Sequence, residues 1–197
     1  PGLTAQNIAF NEIARQAIFS DPDWCEGDYI DASTAPEKGM ALARMVGHLT
    51  YMSADNMSDR FGRELRQGSF DPGDDEQPIF QVESYLRYQG RQFATRFDAN
   101  TYVLMTRALD RFDLAASSDG DLAKALEHAS AEFLILSFSS DWRFSPARSR
   151  EITTALLAAG KRVTYSNLES DAGHDAFLLE DADYIALLHA WMQRVAV

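Results

Sequence analysis

The C-terminal third alternates short apolar runs with helical pattern, and this alternation constrains the fold more than any other stretch. Phe133-Leu134-Ile135-Leu136-Ser137-Phe138 has the length of a buried strand and ends in Ser139-Ser140-Asp141. A helix signal runs from Pro146 to Ala159, followed by the β-like run Arg162-Val163-Thr164-Tyr165 and a loop holding Gly173-His174-Asp175. Strand, helix and strand in succession predict a parallel βαβ unit of α/β class. Asp141 then leaves the C-terminal end of one strand and His174 follows the next. Ligand chemistry in open α/β sheets gathers at that edge. A histidine titrates near neutral pH, and a carboxylate on its second ring nitrogen fixes the tautomer and stabilises the imidazolium. Asp141 and His174 are therefore candidate acid and base of a catalytic triad. The alternative is a helix-capping aspartate and an ordinary loop histidine, and their mutual geometry decides between the two.

Composition bounds the function. The 197 residues fit one domain, or a core piece with an inserted subdomain, and 46% hydrophobic residues can bury a substantial core. A net charge of −12 argues against non-specific nucleic-acid binding and against attraction to anionic membranes. It leaves room for an anionic ligand held by a local cluster of arginines. The single cysteine, Cys25, excludes an internal disulfide framework and makes a reducing cytoplasm the default. No apolar run reaches the roughly 20 residues of a membrane helix, and no signal peptide is expected. A start at Pro1-Gly2, without an initiator methionine, predicts a truncated or processed product.

Before Ser130 the pattern is helical. Thr4 is placed to cap a helix to about Ser20, with Phe10, Ile13, Ala14 and Ala17 as its apolar stripe. Turn chemistry fills residues 21–38, and a second helix is expected from about Gly39 to Ser53 with Leu42, Met45, Val46 and Leu49 inward. Arg44, His48 and Tyr51 share another face of it, which periodicity alone reads as solvated. Residues 67–78 form an acidic linker read as a mobile loop. Val82, Tyr85, Leu86, Gln89 and Phe93 mark another helix. Asp98 is a plausible cap for the next, with Tyr102, Met105 and Leu109 buried, and a short helix is expected around Leu122 to Ala129. The shift near residue 130 divides the chain into a helical region, 1–130, and a βαβα region, 131–197. No repeat, metal-ligand spacing or Gly-rich phosphate loop occurs. His128 and His189 fit surface or packing roles, and Cys25 sits in an acidic turn that does not activate a thiol.

Several runs carry a family resemblance. They are AQNIAFNEIARQAI (Ala5 to Ile18), DPDW (Asp21 to Trp24), ALARMVGHLTYMS (Ala41 to Ser53) and FQVESYLRYQG (Phe80 to Gly90). RFDANTYVLMTRALDRFD (Arg96 to Asp113), SSDWRFSP (Ser139 to Pro146) and GHDAFL (Gly173 to Leu178) complete the set. Together these resemble the homoserine O-acyltransferases of methionine biosynthesis. The resemblance implies the C-terminal part of an α/β-hydrolase fold with a helical cap, or lid, subdomain. It implies an enzyme that moves an acyl group from acyl-CoA to the hydroxyl of L-homoserine through a serine acyl-enzyme. Asp141 and His174 match the family's triad acid and base. Arg44 matches the arginine on the homoserine carboxylate, with Tyr51 along the same helical face, and Asp175 matches the carboxylate that receives the ammonium. The face read as solvated becomes a pocket wall on that basis. No cofactor or metal is implied, acyl-CoA being a co-substrate, and the cap helices imply a homodimer.

A succinyl donor carries a terminal carboxylate that an acetyl donor lacks, so it needs a cation at the acyl end of the pocket. Arg143, two residues after Asp141, is the candidate, and DWRFSPARSREI (Asp141 to Ile152) resembles the succinyl-using members. Succinyl-CoA is the expected donor and acetyl-CoA the alternative. The chain departs from the family in having no G-x-S-x-G elbow, so the nucleophile is expected outside it and the 197 residues alone are expected to be inactive. Two other readings stay open: a catalytically inactive helical dimerisation module, and a plain esterase or thioesterase. An esterase would not need Arg44 and Asp175 together. Arg60, Arg63 and Arg66 could meet CoA phosphates or simply face solvent.

Overall fold

The structure, a computed structural model, describes residues 1–66 and 77–196. The acidic linker expected at 67–78 lies outside them except for Gln77 and Pro78. The chain forms two compact units, one built from Gly2–Leu49 and Met57–Phe112, the other from Thr50–Asn56 and from Asp113 onward, with Pro1.

The first unit is helical. It holds α1 (Ala5–Phe19), α2 (Glu37–Tyr51) up to Leu49, most of α3 (Ala54–Phe61), α4 (Gln81–Ala94) and α5 (Ala99–Arg111). The expected caps are in place. Thr4 Oγ1 accepts from the Asn7 amide at 3.2 Å, and Asp98 Oδ1 from the Thr101 amide at 2.7 Å. Asp98 also accepts from the Tyr29 hydroxyl, a bond that lowers the carboxyl's pKa, while burial and that partner raise the phenol's. Ala14, Ile18, Tyr29, Met40, Ala43, Ala99 and Val103 form the core. Gly39 lets two helices approach closely, since a Cβ there would lie 2.6 Å from the Ala17 carbonyl oxygen.

Three helices turn a different face inward from the one their hydrophobic pattern predicts. On α1, Ala14 and Ala17 are buried as expected, but Ile13 is 54% exposed while Asn7, Asn11 and Arg15 are buried. On α2, Leu42 and Leu49 are about half exposed and Met40, Ala43 and His48 are buried, so the face carrying His48 is not a solvated one. On α5, Met105 and Leu109 are exposed and Ala99, Val103 and Thr106 are buried. Small side chains permit close helix contact, and the polar ones bring their own partners. Arg15 meets Asp110 at 2.7 Å and Glu12 at 2.8 Å, and Asn11 donates to Asp110 at 2.7 Å. The contact of α1 with α5 thus includes a buried ion pair.

The second unit carries α6 (Leu122–Ala125), β1 (Phe133–Phe138), α7 (Pro146–Ala158), β2 (Val163–Leu168) and α8 (Ala182–Val195). The strands pair in parallel, from Phe133 opposite Val163 to Phe138 opposite Leu168. The second strand runs three residues past the apolar signal that ended at Tyr165. Ser166 and Asn167 break the pattern, but Asn167 faces Ser137, whose buried hydroxyl donates to Asn167 Oδ1 at 2.7 Å. The helix expected to Ala129 stops at Ala125, where Leu126 caps it. Phe138, Ala172 and Ala176 pack with Leu168 and Tyr184, and Leu156 of α7 is fully buried.

The Arg15–Asp110 pair sets a stability test. Asp110→Ala leaves a buried guanidinium with Glu12 as its remaining carboxylate and should cost roughly 1–3 kcal/mol, whereas Arg15→Met with Asp110→Leu should come close to the parent. Urea unfolding followed by circular dichroism reads both, and equal losses in the two variants would contradict the assignment.

Candidate active site

The parallel register carries Asp141 and His174 to the same end of the two strands. Asp141 follows β1 after Ser139-Ser140, and His174 lies in a 3-10 turn, Gly173–Leu178, after β2. His174 Nδ1 and Asp141 Oδ2 are 2.8 Å apart. The other carboxylate oxygen accepts from the Arg143 amide at 3.1 Å and the Phe144 amide at 2.8 Å. Asp141 is 6% exposed and does not cap α7, whose N-cap is Ser145. An acceptor-only carboxylate assigns the proton to Nδ1, which turns Nε2 outward as the proton acceptor. The imidazole is flanked by Phe144, Phe177 and Tyr51, with ring centroids at 4.9, 5.3 and 5.7 Å. These contacts hold it in one orientation.

Short polar contacts secure the loops around the pair. Gly173 donates to Ser140 Oγ at 2.9 Å, and Ser139 Oγ accepts from the Ser170 amide at 3.0 Å. Ser53 Oγ donates to the Asp171 carbonyl and accepts from the Asn56 amide at 3.0 Å. Trp142 Nε1 donates to the Met52 carbonyl at 3.0 Å. Gly173 has φ +74°, and a Cβ there would fall 2.5 Å from the Ser53 nitrogen, so only glycine admits this approach of the histidine turn to residues 51–53. Gly173 and Ser53 went unnoticed as site residues. The glycine directly before a candidate base was the signal available.

Arg143 belongs to the same cluster. Its Nη1 donates to Thr50 Oγ1 at 2.7 Å, and its guanidinium lies 5.7 Å from the ring centroids of Tyr51 and Phe144, two of the rings that flank His174. Asp141, His174, Arg143 and Tyr51 are therefore brought together, and Asp175, half-buried, follows the base in the chain. Arg44 is half-buried in the helical unit, its guanidinium 5.0 Å from the Phe93 ring centroid. In that unit His48 is 8% exposed, and its Nδ1 lies 3.1 Å from the Tyr85 hydroxyl. Burial, reinforced by the positive charges of Arg44 and Arg60, pushes its pKa down to about 4.

A charge-orienting acid, a fixed imidazole and a nearby guanidinium suit acyl transfer on an anionic substrate. The chain is similar over its whole length to homoserine O-succinyltransferases. The enzyme of that name from Saccharophagus degradans is 59% identical over 196 residues, covering 99% of this chain and 51% of its own length. The one from Laribacter hongkongensis is 57% identical, covering 100% and 51%. The chain thus spans about half the length of the curated relatives it matches. A crystal structure of homoserine O-acetyltransferase from Bacillus anthracis superposes with a TM-score of 0.77 at 20% identity, covering 89% of this chain and 46% of that one. This likeness establishes the α/β-hydrolase fold expected from the resemblance. No protein-family model matches the chain. Among the described residues, no helix is long and apolar enough to cross a membrane.

His48 gives a pH test. Its folded pKa lies below the value of about 6.5 for an exposed histidine, so the unfolded chain binds the extra proton first. The stabilisation is whole above pH 6.5 and is lost as pH falls towards 4, by on the order of 3 kcal/mol in all. Denaturation midpoints between pH 4 and 7 should flatten in His48→Gln. An unchanged slope would show that His48 does not carry the dependence.

Proposed function

We propose that this chain carries the acid, base and donor-selecting residues of a homoserine O-succinyltransferase. The observation that carries the reading is the 2.8 Å contact of His174 with a buried Asp141 whose second oxygen is held by two amides. The high identity to homoserine O-succinyltransferases supports the reaction class. A serine hydroxyl gives its proton to His174 Nε2 as its oxygen attacks the thioester carbonyl of succinyl-CoA. The imidazolium, stabilised by Asp141, returns the proton to the departing thiolate and leaves a succinyl-serine ester. The homoserine hydroxyl then loses its proton to His174 and attacks that ester, which forms O-succinylhomoserine and frees the serine. No G-x-S-x-G occurs in the 197 residues, so the proposed serine is supplied from outside that pattern.

Arg143 pairs with the terminal carboxylate of the succinyl group. Its position against the rings that flank His174 supports that role, and succinyl is favoured over acetyl for the same reason. By the family resemblance Arg44 takes the homoserine carboxylate, Tyr51 is a substrate-binding residue and Asp175 takes the ammonium. The reaction needs no cofactor or metal. The proposed setting is the cytoplasm, in a homodimer formed through the cap helices, and exposed Leu104, Met105 and Leu109 on α5 support that contact.

The test follows free thiol released by the enzyme that contains this chain, with L-homoserine and either donor. Succinyl-CoA should react faster than acetyl-CoA. Arg143→Leu should lower kcat/KM for succinyl-CoA by roughly 10- to 100-fold, the worth of a charge-assisted hydrogen bond, and should spare acetyl-CoA. Asp141→Asn should cost on the order of 10⁴-fold in kcat by holding the wrong tautomer. A wild-type preference for acetyl-CoA would remove Arg143 from the site, and no homoserine-dependent release from either donor would remove the acyltransferase.

A further inference from the structure

The helical unit contains a concentration of arginine that its reaction residues do not use. The turn after α3 pairs with the start of α4: Arg66 N–H donates to the Ile79 carbonyl at 2.8 Å, and Leu65 bridges Phe80. This sets Arg66 beside Ser84, Arg87, Tyr88 and Arg91, which follow i, i+3, i+4, i+7 spacing and so share one face of α4. A cavity of about 540 Å³ lies there, lined among others by Arg60, Arg66, Tyr88 and Arg91, with Glu64 the one acid among the described residues of its wall. A second, of about 330 Å³, shares Arg66, Ser84 and Arg91, adds Arg87 and among the described residues has no carboxylate in its wall. Both volumes fall in the range of small-ligand sites.

Glu83, the acid next to Ser84, is occupied elsewhere. Glu83 Oε2 accepts from the Ile79 and Phe80 amides at 2.7 and 2.8 Å, which lowers its pKa. Among the described residues Arg60, Arg66 and Arg91 take part in no ion pair. Arg60 is already placed, its guanidinium 4.7 Å from the Tyr85 ring centroid and 5.2 Å from that of Phe61. In a chain of net charge −12, arginines gathered in a hollow with one acid among the described residues of its wall favour a polyanion. Planar guanidinium groups suit phosphate oxygens in pairs. Tyr88, 54% exposed in the same wall, offers a ring on which a purine can stack.

We propose that this hollow binds the phosphate-bearing adenosine end of the coenzyme A thioester. The proposal rests on the acyltransferase reading for the identity of the ligand. Arg66 and Arg91 bind phosphate oxygens, Arg60 adds charge, and Tyr88 stacks on the base.

The direct test is calorimetric titration of the enzyme that contains this chain with adenosine 3′,5′-bisphosphate, which has that end of coenzyme A without its thiol arm. Saturable binding should weaken at least about tenfold in Arg66→Gln and in Arg91→Gln, the cost of a lost charge-assisted hydrogen bond, and should weaken with added salt. Tyr88→Ala should weaken the bisphosphate but leave inorganic pyrophosphate unchanged. Circular dichroism melts of the variants matching the parent would exclude unfolding as the cause. No saturation, equal binding by the arginine variants, or a Tyr88→Ala effect of the same size on pyrophosphate would overturn the proposal. In the enzyme that contains this chain, Arg66→Gln should raise KM for succinyl-CoA far more than for succinyl-pantetheine, which lacks the nucleotide. Homoserine-dependent transfer without bisphosphate binding would refute this site and leave the acyltransferase standing. Arginine-dependent bisphosphate binding without transfer would support the site and refute the acyltransferase.

Discussion

The hydrogen bond between His174 and Asp141 depends on the parallel pairing of two six-residue strands. A slip of one residue in that register would turn the strands' side chains to the opposite face and move the two following loops out of step. The register is fixed partly by polar groups. Ser137 lies between Tyr165 at 2.9 Å and Asn167 at 2.7 Å, so a slipped strand would bury these groups without partners. The loops beyond the strands are then tied by the Gly173–Ser140 and Ser170–Ser139 bonds. The geometry of the acid–imidazole pair is thus a consequence of strand pairing, finished by short loop contacts.

Charges are paired off within the candidate site. Asp141 spends both oxygens inside the protein, one on imidazole and one on amides, so its charge acts on His174 and little else. Arg143 brings a cation to the same aromatic group, held in place by Thr50. In the helical unit His48 works the other way: two arginines and burial keep it neutral. Arginine is the recurrent choice where a fixed, planar cation is needed.

The helical unit shows how a hydrophobic pattern can mislead. Periodicity weighs side chains by apolarity, so it aligned Leu42, Leu49, Met105 and Leu109 with the core. Packing instead chose Ala43, Ala99 and Val103, which let helices approach, together with the Arg15–Asp110–Asn11 group, in which opposite charges meet. A buried ion pair has no signature in one helix, because its two halves lie on α1 and α5, far apart in the chain.

Local chemistry in the sequence determined the helix starts at Thr4 and Asp98, the two strands to within a few residues, the α/β class and the candidacy of Asp141 and His174. Each of these depends on neighbours within a few positions, so a linear reading reaches it. Tertiary structure alone decided that the acid and base meet, since they are 33 residues apart and a hydrogen bond tolerates only a few tenths of an ångström. It also decided that Thr50 holds Arg143, that Gly173 must lack a side chain against Ser53, and that the arginines of α3 and α4 share one hollow. Those relations join segments whose proximity no local pattern encodes.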